Sequence, residues 1–303
     1  MRWNALPQPI RQVRIDRPGR RITFRSPTMR LLVPIFLMLS PLLVSAETKA
    51  PKGVDVALVS ENRSIAAGKK FTVALKIHHH EKFHTYWKSP GIAGVPTEIQ
   101  WQLPEGFTAG EIQWPYPEKS MMAIHPVHGY ERDVMLLVDI TPPAAITEKK
   151  VDFKATATWM ACADGCYPGK ISLDLELPVA AEPAVDPEKT GSFTQARQEI
   201  PQPLQHWATE VVSAVDAEEI RIRLKPESAD AVLPQDVYFF SSDGQISSNK
   251  PQRLEVKDGV YEIVAKRSKF GPKGKTSLPG VLASASPLVK DGARFAMIEP
   301  VVK

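Results

Sequence analysis

Two alternating runs flank the only two cysteines of the chain. Residues 151–160 (V-D-F-K-A-T-A-T-W-M) alternate apolar and polar side chains and run into Cys162. Residues 171–177 (I-S-L-D-L-E-L) lead away from Cys166 with the same period of two. A side-chain period of two belongs to a half-buried β-strand, because successive side chains point to opposite faces of a sheet. Asp164 and Gly165, between the cysteines, supply the backbone for a turn. The pattern predicts a β-hairpin with the cysteine pair where one strand hands over to the next.

The first 46 residues do not enter this argument. Met29-Arg30 precedes 14 residues with a largely apolar character, Leu31 to Val44, and the small residues Ser45-Ala46 follow. A basic start, a short apolar core and a small-residue cleavage region predict a secretory signal peptide over 29–46. The stretch is shorter than a membrane span, and Pro34 and Pro41 interrupt it. The Arg-rich segment before Met29 is read either as an extended basic region of the leader or, the favoured reading, as an upstream start that is not used. No cysteine follows the apolar core, so no lipid anchor is expected there.

Removing this leader reverses the charge. The whole chain has 38 Lys+Arg against 34 Asp+Glu, a net charge of +4. Residues 1–46 hold eight of those bases and one acid, Asp16, leaving 30 against 33, a net −3. The basicity belongs to the leader, so the mature chain gives no case for nucleic-acid binding. No later apolar run is long enough to cross a bilayer. The expected product is soluble and exported.

Abundant proline and scarce helical periodicity favour a β-rich fold with many turns. Strands are predicted over 54–60, 71–77, 97–103, 107–114, 130–140, 151–160 and 171–177. An aromatic loop is expected at 78–91 and a longer loop at 115–128. Seven or eight short strands in about 130 residues describe an immunoglobulin-like β-sandwich over 47–180. Residues 181–200, rich in Ala, Pro and Glu, predict a linker, with a short helix over 196–208 broken by Pro201 and Pro203. Further strands over 219–224, 236–241, 259–265, 277–284 and 293–302 predict a second, smaller β-sandwich-like domain over 201–303. The fold class is all-β.

A secreted chain with two cysteines invites a structural disulfide. Closing a loop of about five residues constrains the unfolded chain by only about 2 kcal/mol, against about 4.7 kcal/mol for a 100-residue loop. A local Cys-x-x-x-Cys keeps both thiols close in either redox state, so one attacks a partner disulfide and the other resolves the mixed disulfide. The spacing favours chemistry and leaves the structural staple open.

The segment Cys162-Ala-Asp-Gly-Cys166-Tyr-Pro168 resembles the active-site region of the N-terminal periplasmic domain of the DsbD family of disulfide reductases. Further segments agree in order: His84-Thr-Tyr86-Trp87-Lys-Ser-Pro90-Gly91, Leu103-Pro-Glu-Gly106, Trp114-Pro115, Gly129-Tyr130-Glu131 and Trp159. The resemblance covers about residues 52–180. It implies an immunoglobulin-like sandwich in which Cys162 and Cys166 accept electrons and reduce periplasmic partners. Such partners include disulfide isomerase-like proteins and the thioredoxin-like proteins of cytochrome c biogenesis. It also implies a cap loop over the cysteines, placed by position within residues 114–122. The second β domain looks like one in longer relatives, some linked to copper tolerance. The membrane conduit and C-terminal thioredoxin domain of the family do not follow, so a separate membrane electron donor is expected. The cysteine spacing is tighter than in the best-known members.

Other residues offer weaker chemistry. His78 and His80 would share one face of a strand end, where two imidazoles could hold a metal. Met121, Met122, His125 and His128 suit copper by softness, though methionine more often fills gaps or faces partners. No spacing fixes a third ligand. Tyr86, Trp87, Trp114 and Trp159 read as packing aromatics, some lining the surface around the cysteines. No cofactor is expected, since no phosphate loop, dinucleotide fingerprint or Ser-His-Asp arrangement is present. Two functions therefore stand: a periplasmic thiol–disulfide exchange domain, which would make the chain a protein-disulfide reductase, and a non-enzymatic binding module of a copper-handling kind with a structural disulfide.

Overall fold

The computed structural model describes residues 52–303. The expected signal peptide and the reading of the start codon lie outside them.

Apolar residues at every second position give β1 (Val54–Ser60) and β3 (Phe71–His79), with the short polar β2 (Asn62–Ser64) between them. The chain continues through β4 (Thr85–Gly91), β5 (Glu98–Gln102), β6 (Thr108–Ala109), β7 (Glu118–Met122), β8 (His125–Tyr130) and β9 (Val134–Thr141). The long hairpin follows as β10 (Lys150–Cys162) and β11 (Cys166–Pro178), then β12 (Ala184–Val185) and α1 (Pro187–Gln198). The remaining strands are β13 (Trp207–Val211), β14 (Glu219–Pro226), β15 (Tyr238–Ser241), β16 (Arg253–Lys257), β17 (Val260–Lys266), β18 (Gly280–Ala283), β19 (Phe295–Ile298) and β20 (Val301–Val302).

In the first half, the sheet β1-β3-β9-β6 packs face to face with β11-β10-β5. Each strand contributes every second residue to the interior. Val73, Leu75, Ile77, Leu136 and Val138 meet Phe153, Ala157, Trp159 and Ala161. This is the two-sheet packing that alternation predicts. Gly169 lies opposite Trp159 in the β10–β11 ladder, where a Cβ would sit 2.2 Å from the indole. The absent side chain is what lets the Trp159 ring lie across β11.

The first part of β3 is buried on both faces, Thr72 and Ala74 as well as Val73 and Leu75, and α1 covers the outer side. Phe193 and Ala196 pack on Ala74 and Leu137, the side of β3 and β9 that faces away from the sandwich interior. Asp186 caps the helix by accepting from the Glu188 amide, and Pro187 follows it, a favoured order for a helix start. Arg197 in the last turn donates to both Glu61 carboxylate oxygens. The segment expected as a linker over 181–200 therefore carries a helix, and the helix expected over 196–208 lies earlier. Beyond Pro201 and Pro203 the chain enters β13.

In the second half, the sheet β16-β17-β14-β13-β20 packs on β15-β18-β19. Ile220, Ile222, Leu224 and Ile263 meet Phe239, Leu282, Ala296 and Ile298. The smaller sheet has a second apolar face. Phe240 and Val281 point the other way and join Trp87 and Tyr130 in the core of the first half. Phe295 stacks on Tyr116 with ring centroids 4.0 Å apart. β15 is an edge strand, and the Gln252 side chain accepts from the Phe239 amide and donates to the Phe239 carbonyl, both at 2.9 Å.

Phe193→Ala removes the largest side chain that anchors α1. It should cost about 3 kcal/mol, measured by urea unfolding, with a loss well under 1 kcal/mol showing that the outer face of β3 and β9 does not need the helix.

Candidate redox site

Cys162 and Cys166 face each other at the last rung of the β10–β11 ladder and form a disulfide with Cα atoms 4.1 Å apart. Ala163, Asp164 and Gly165 close the hairpin, and the Ala163 amide donates to the Gly165 carbonyl. The two sulfurs occupy different environments. Cys162 has no exposed surface, whereas Cys166 is exposed.

Burial of Cys162 is not a consequence of the sandwich interior. Ala161 faces that interior, so alternation turns Cys162 to the outer face of its sheet. A third sheet, β4-β8-β7, covers it there. His84, just before β4, exchanges two backbone hydrogen bonds of 3.0 Å with Cys162, which docks β4 on the end of β10. Tyr86 and Val127 then pack on Cys162, with Met122, Ala93 and Met160 at the margin.

Tyr86 contributes more than area. Its hydroxyl donates to the Cys162 sulfur at 3.0 Å. His84 Nε2 lies 3.3 Å from the same oxygen. Because the phenol has one proton and gives it to sulfur, His84 must be the donor to the phenol oxygen. Burial pushes the Tyr86 hydroxyl up to about 12, so it keeps its proton at neutral pH. Burial also lowers the His84 imidazole, with Glu131 opposing the effect. A neutral His84–Tyr86 pair thus aims one hydroxyl at the buried sulfur, where a thiolate would accept it. Gly94 permits the arrangement: its φ is +104°, and a Cβ there would sit 2.2 Å from the Tyr86 ring. On the exposed side, Tyr167 packs against Phe83, and Lys52 Nζ lies 3.9 Å from the Tyr167 ring centroid.

The cap expected within residues 114–122 reaches Cys162 only through Met122. Trp114 and Tyr116 pack in the core of the first half instead. The covering unit is the hairpin β7–β8, in a stretch where the sequence predicts a loop. His84 and Tyr86 sit two apart and so share a strand face, a signal that, with the family resemblance of their segment, could have linked them to a common site.

The remaining candidates disperse. His78 and His80 do share a face, with rings 6.0 Å apart, but each is engaged by a separate carboxylate, Asp133 and Asp55. Met122 and His125 are cross-strand partners, while Met121 is exposed and His128 is buried. Among the described residues no group of three His, Cys, Asp or Glu side chains could hold a metal ion. Among the same residues no helix is long and apolar enough to cross a membrane.

The fold and the site together define an immunoglobulin-like sandwich with a half-buried disulfide at a hairpin tip. Residues 55–178 match the family model described as the N-terminal part of thiol:disulfide interchange protein DsbD. The crystal structure of the N-terminal periplasmic domain of ScsB from Proteus mirabilis is similar at 16% identity and a TM-score of 0.56, over 82% of this chain and 94% of that one. That likeness spans both halves of the fold. A titin I-band fragment, I67-I69, aligns at 12% identity over 83% of this chain and 65% of its own with a TM-score of 0.19, too low to bear on the fold. No curated protein sequence matches the chain.

Two outcomes follow from the geometry. Tyr86→Phe deletes the donor to sulfur and should slow reduction of the disulfide by dithiothreitol about three- to tenfold, the effect of one hydrogen bond of about 1 kcal/mol. An unchanged rate would show that the hydroxyl does not assist the leaving sulfur.

The second concerns pH. Burial lowers His79 and His128 from 6.5 to about 4, against opposing pulls from Asp133 on His79 and the Ser89 carbonyl on His128. The unfolded chain then binds protons that the folded one refuses. Their stabilising contribution is complete above pH 6.5 and is lost as pH falls toward 4. The loss should be at most about 3 kcal/mol per histidine. Urea unfolding at pH 7.5 and 5 should show a drop that shrinks in His128→Gln.

Proposed function

We propose that the chain is a periplasmic thiol–disulfide exchange protein that passes reducing equivalents through Cys162 and Cys166 to partner proteins. The observation that carries this reading is the asymmetry of the pair, one sulfur exposed and its partner buried under a hydroxyl donor. A staple needs no such difference. The match of residues 55–178 to the DsbD N-terminal model supports the same reading.

The exchange runs through Cys166. A thiolate of a reduced donor attacks Cys166 Sγ, the Cys162–Cys166 bond breaks, and Cys162 leaves as a thiolate that accepts from Tyr86. A second donor thiol displaces Cys166, and the donor leaves as its disulfide. In the forward delivery Cys166 attacks the acceptor disulfide. Cys162 then attacks Cys166 Sγ in the mixed disulfide, re-forming the pair and releasing the acceptor as a dithiol. Two electrons and two protons pass from donor dithiol to acceptor. Disulfide isomerase-like or thioredoxin-like proteins are the acceptors this chemistry fits.

The test is the reduction potential of the pair, by thiol trapping across a graded redox buffer. A value of roughly −120 to −270 mV is expected, the range of exchange proteins, whereas one below about −300 mV would mark a structural disulfide. The Cys162→Ala variant, which keeps the exposed thiol, should trap partners as mixed disulfides. Cys166→Ala should trap few.

A further inference from the structure

We propose that Ser248 and Tyr238, in the second half of the chain, are positioning residues that hold the β7–β8 hairpin closed over Cys162. The proposal rests on the exchange reading only for its purpose; its geometry stands apart from it.

The hairpin has two faces. One carries Met122 and Val127 toward Tyr86 and Cys162. The other carries His128 toward Tyr238 and Phe240. The ladder between β4 and β8 is broken along this stretch. Thr85 and Tyr86 pair with Tyr130 and Gly129, the register then shifts, and the next pair is Gly91 with Val127. Four residues of β4 thus stand opposite His128 alone. Sheet pairing to β4 holds the outer part of the hairpin, which carries Met122, at Val127 alone.

Side chains of the second half take over that task. Ser248 Oγ donates to the Pro126 carbonyl at 2.7 Å and accepts from the Ile92 amide at 3.0 Å. One buried hydroxyl therefore ties β8 to the end of β4 across the break. Gly91 is shaped for it, since a Cβ there would sit 2.3 Å from Ser248 Oγ, and its φ is +92°. Tyr238 forms the second tie. His128 Nδ1 lies 3.3 Å from the Ser89 carbonyl, which can only accept, so Nδ1 carries the proton and Nε2 receives the Tyr238 hydroxyl at 3.0 Å. Lys119 of β7 lies over the Tyr238 ring at 5.1 Å. Behind these ties a crevice of about 730 Å³, lined by Met121, Pro126, Asn249 and Leu254 among others, leaves room for the hairpin to withdraw from the cysteine.

The test reads the buried thiol directly. In the whole protein carrying Cys166→Ala, Cys162 is the only thiol, and its alkylation by iodoacetamide reports how often the hairpin opens. Adding Ser248→Ala or Tyr238→Phe should raise that rate about three- to tenfold, the shift in opening expected for one lost hydrogen bond. Amide hydrogen exchange should quicken over residues 121–127 and stay unchanged in β14 and β17. Asp186→Ala, which loosens the first turn of α1 by a similar amount at a residue bonded to Glu61 and its own helix and not to the hairpin, should leave the Cys162 rate alone. Unchanged alkylation in both brace variants, or an equal rise in Asp186→Ala, would overturn the proposal. The labelling needs no exchange partner, so a failed brace is distinguishable from a structural disulfide, which the reduction potential reports.

Discussion

The pair of backbone hydrogen bonds between His84 and Cys162 is the contact on which the site depends. The long β10–β11 ladder projects its last rung beyond the packed interior, and by alternation it turns Cys162 outward. Left there, the sulfur would face water like its partner. The bridge at His84 docks β4 on this end, β4 brings Tyr86 to the sulfur, and β8 pairs with β4 to bring Val127. Each step uses a main-chain ladder to place one side chain. The difference between the two sulfurs therefore follows from topology.

Strands with one wet face were legible in the sequence because burial leaves a period of two. The runs at 54–60, 151–160 and 171–177 fall inside β1, β10 and β11 for that reason. The cysteines fall at a hairpin turn as the flanking runs imply. What the sequence hid has physical causes. β7 and β8 contain Lys119, Pro126 and Gly129, and their turn is Ala123-Ile124, with Ala123 at φ +53° where Asn or Gly would be expected. Nothing in such a segment alternates, because one face meets a cysteine and the other a neighbouring sheet. α1 was hidden by Pro187 and Gly191, although Asp186-Pro187 is a sound helix start.

Tyr86 shows a further limit of sequence reading. Tyr86-Trp87 reads as packing aromatics, some of the set lining the surface around the cysteines, and in area both do pack. They face opposite ways, Trp87 into the sandwich core and Tyr86 onto the disulfide. Only the register against Cys162 distinguishes the polar end that meets sulfur from the ring that fills space.

The two-faced sheet β15-β18-β19 also bears on how the chain finds its fold. In a strand with one apolar face, a slip of one residue exposes that face and is heavily penalised. β15 offers Phe239 to one core and Phe240 to the other, so a slipped pairing would still bury a phenylalanine on each side. Hydrophobic burial barely discriminates between the two alignments. The discrimination falls to polar groups of fixed reach: the Gln252 amide that grips both backbone groups of Phe239, and the Tyr238 hydroxyl that meets His128. The same glutamine occupies the open edge of β15, where another strand could otherwise add. One side chain thus serves as both the ruler for that strand and its guard.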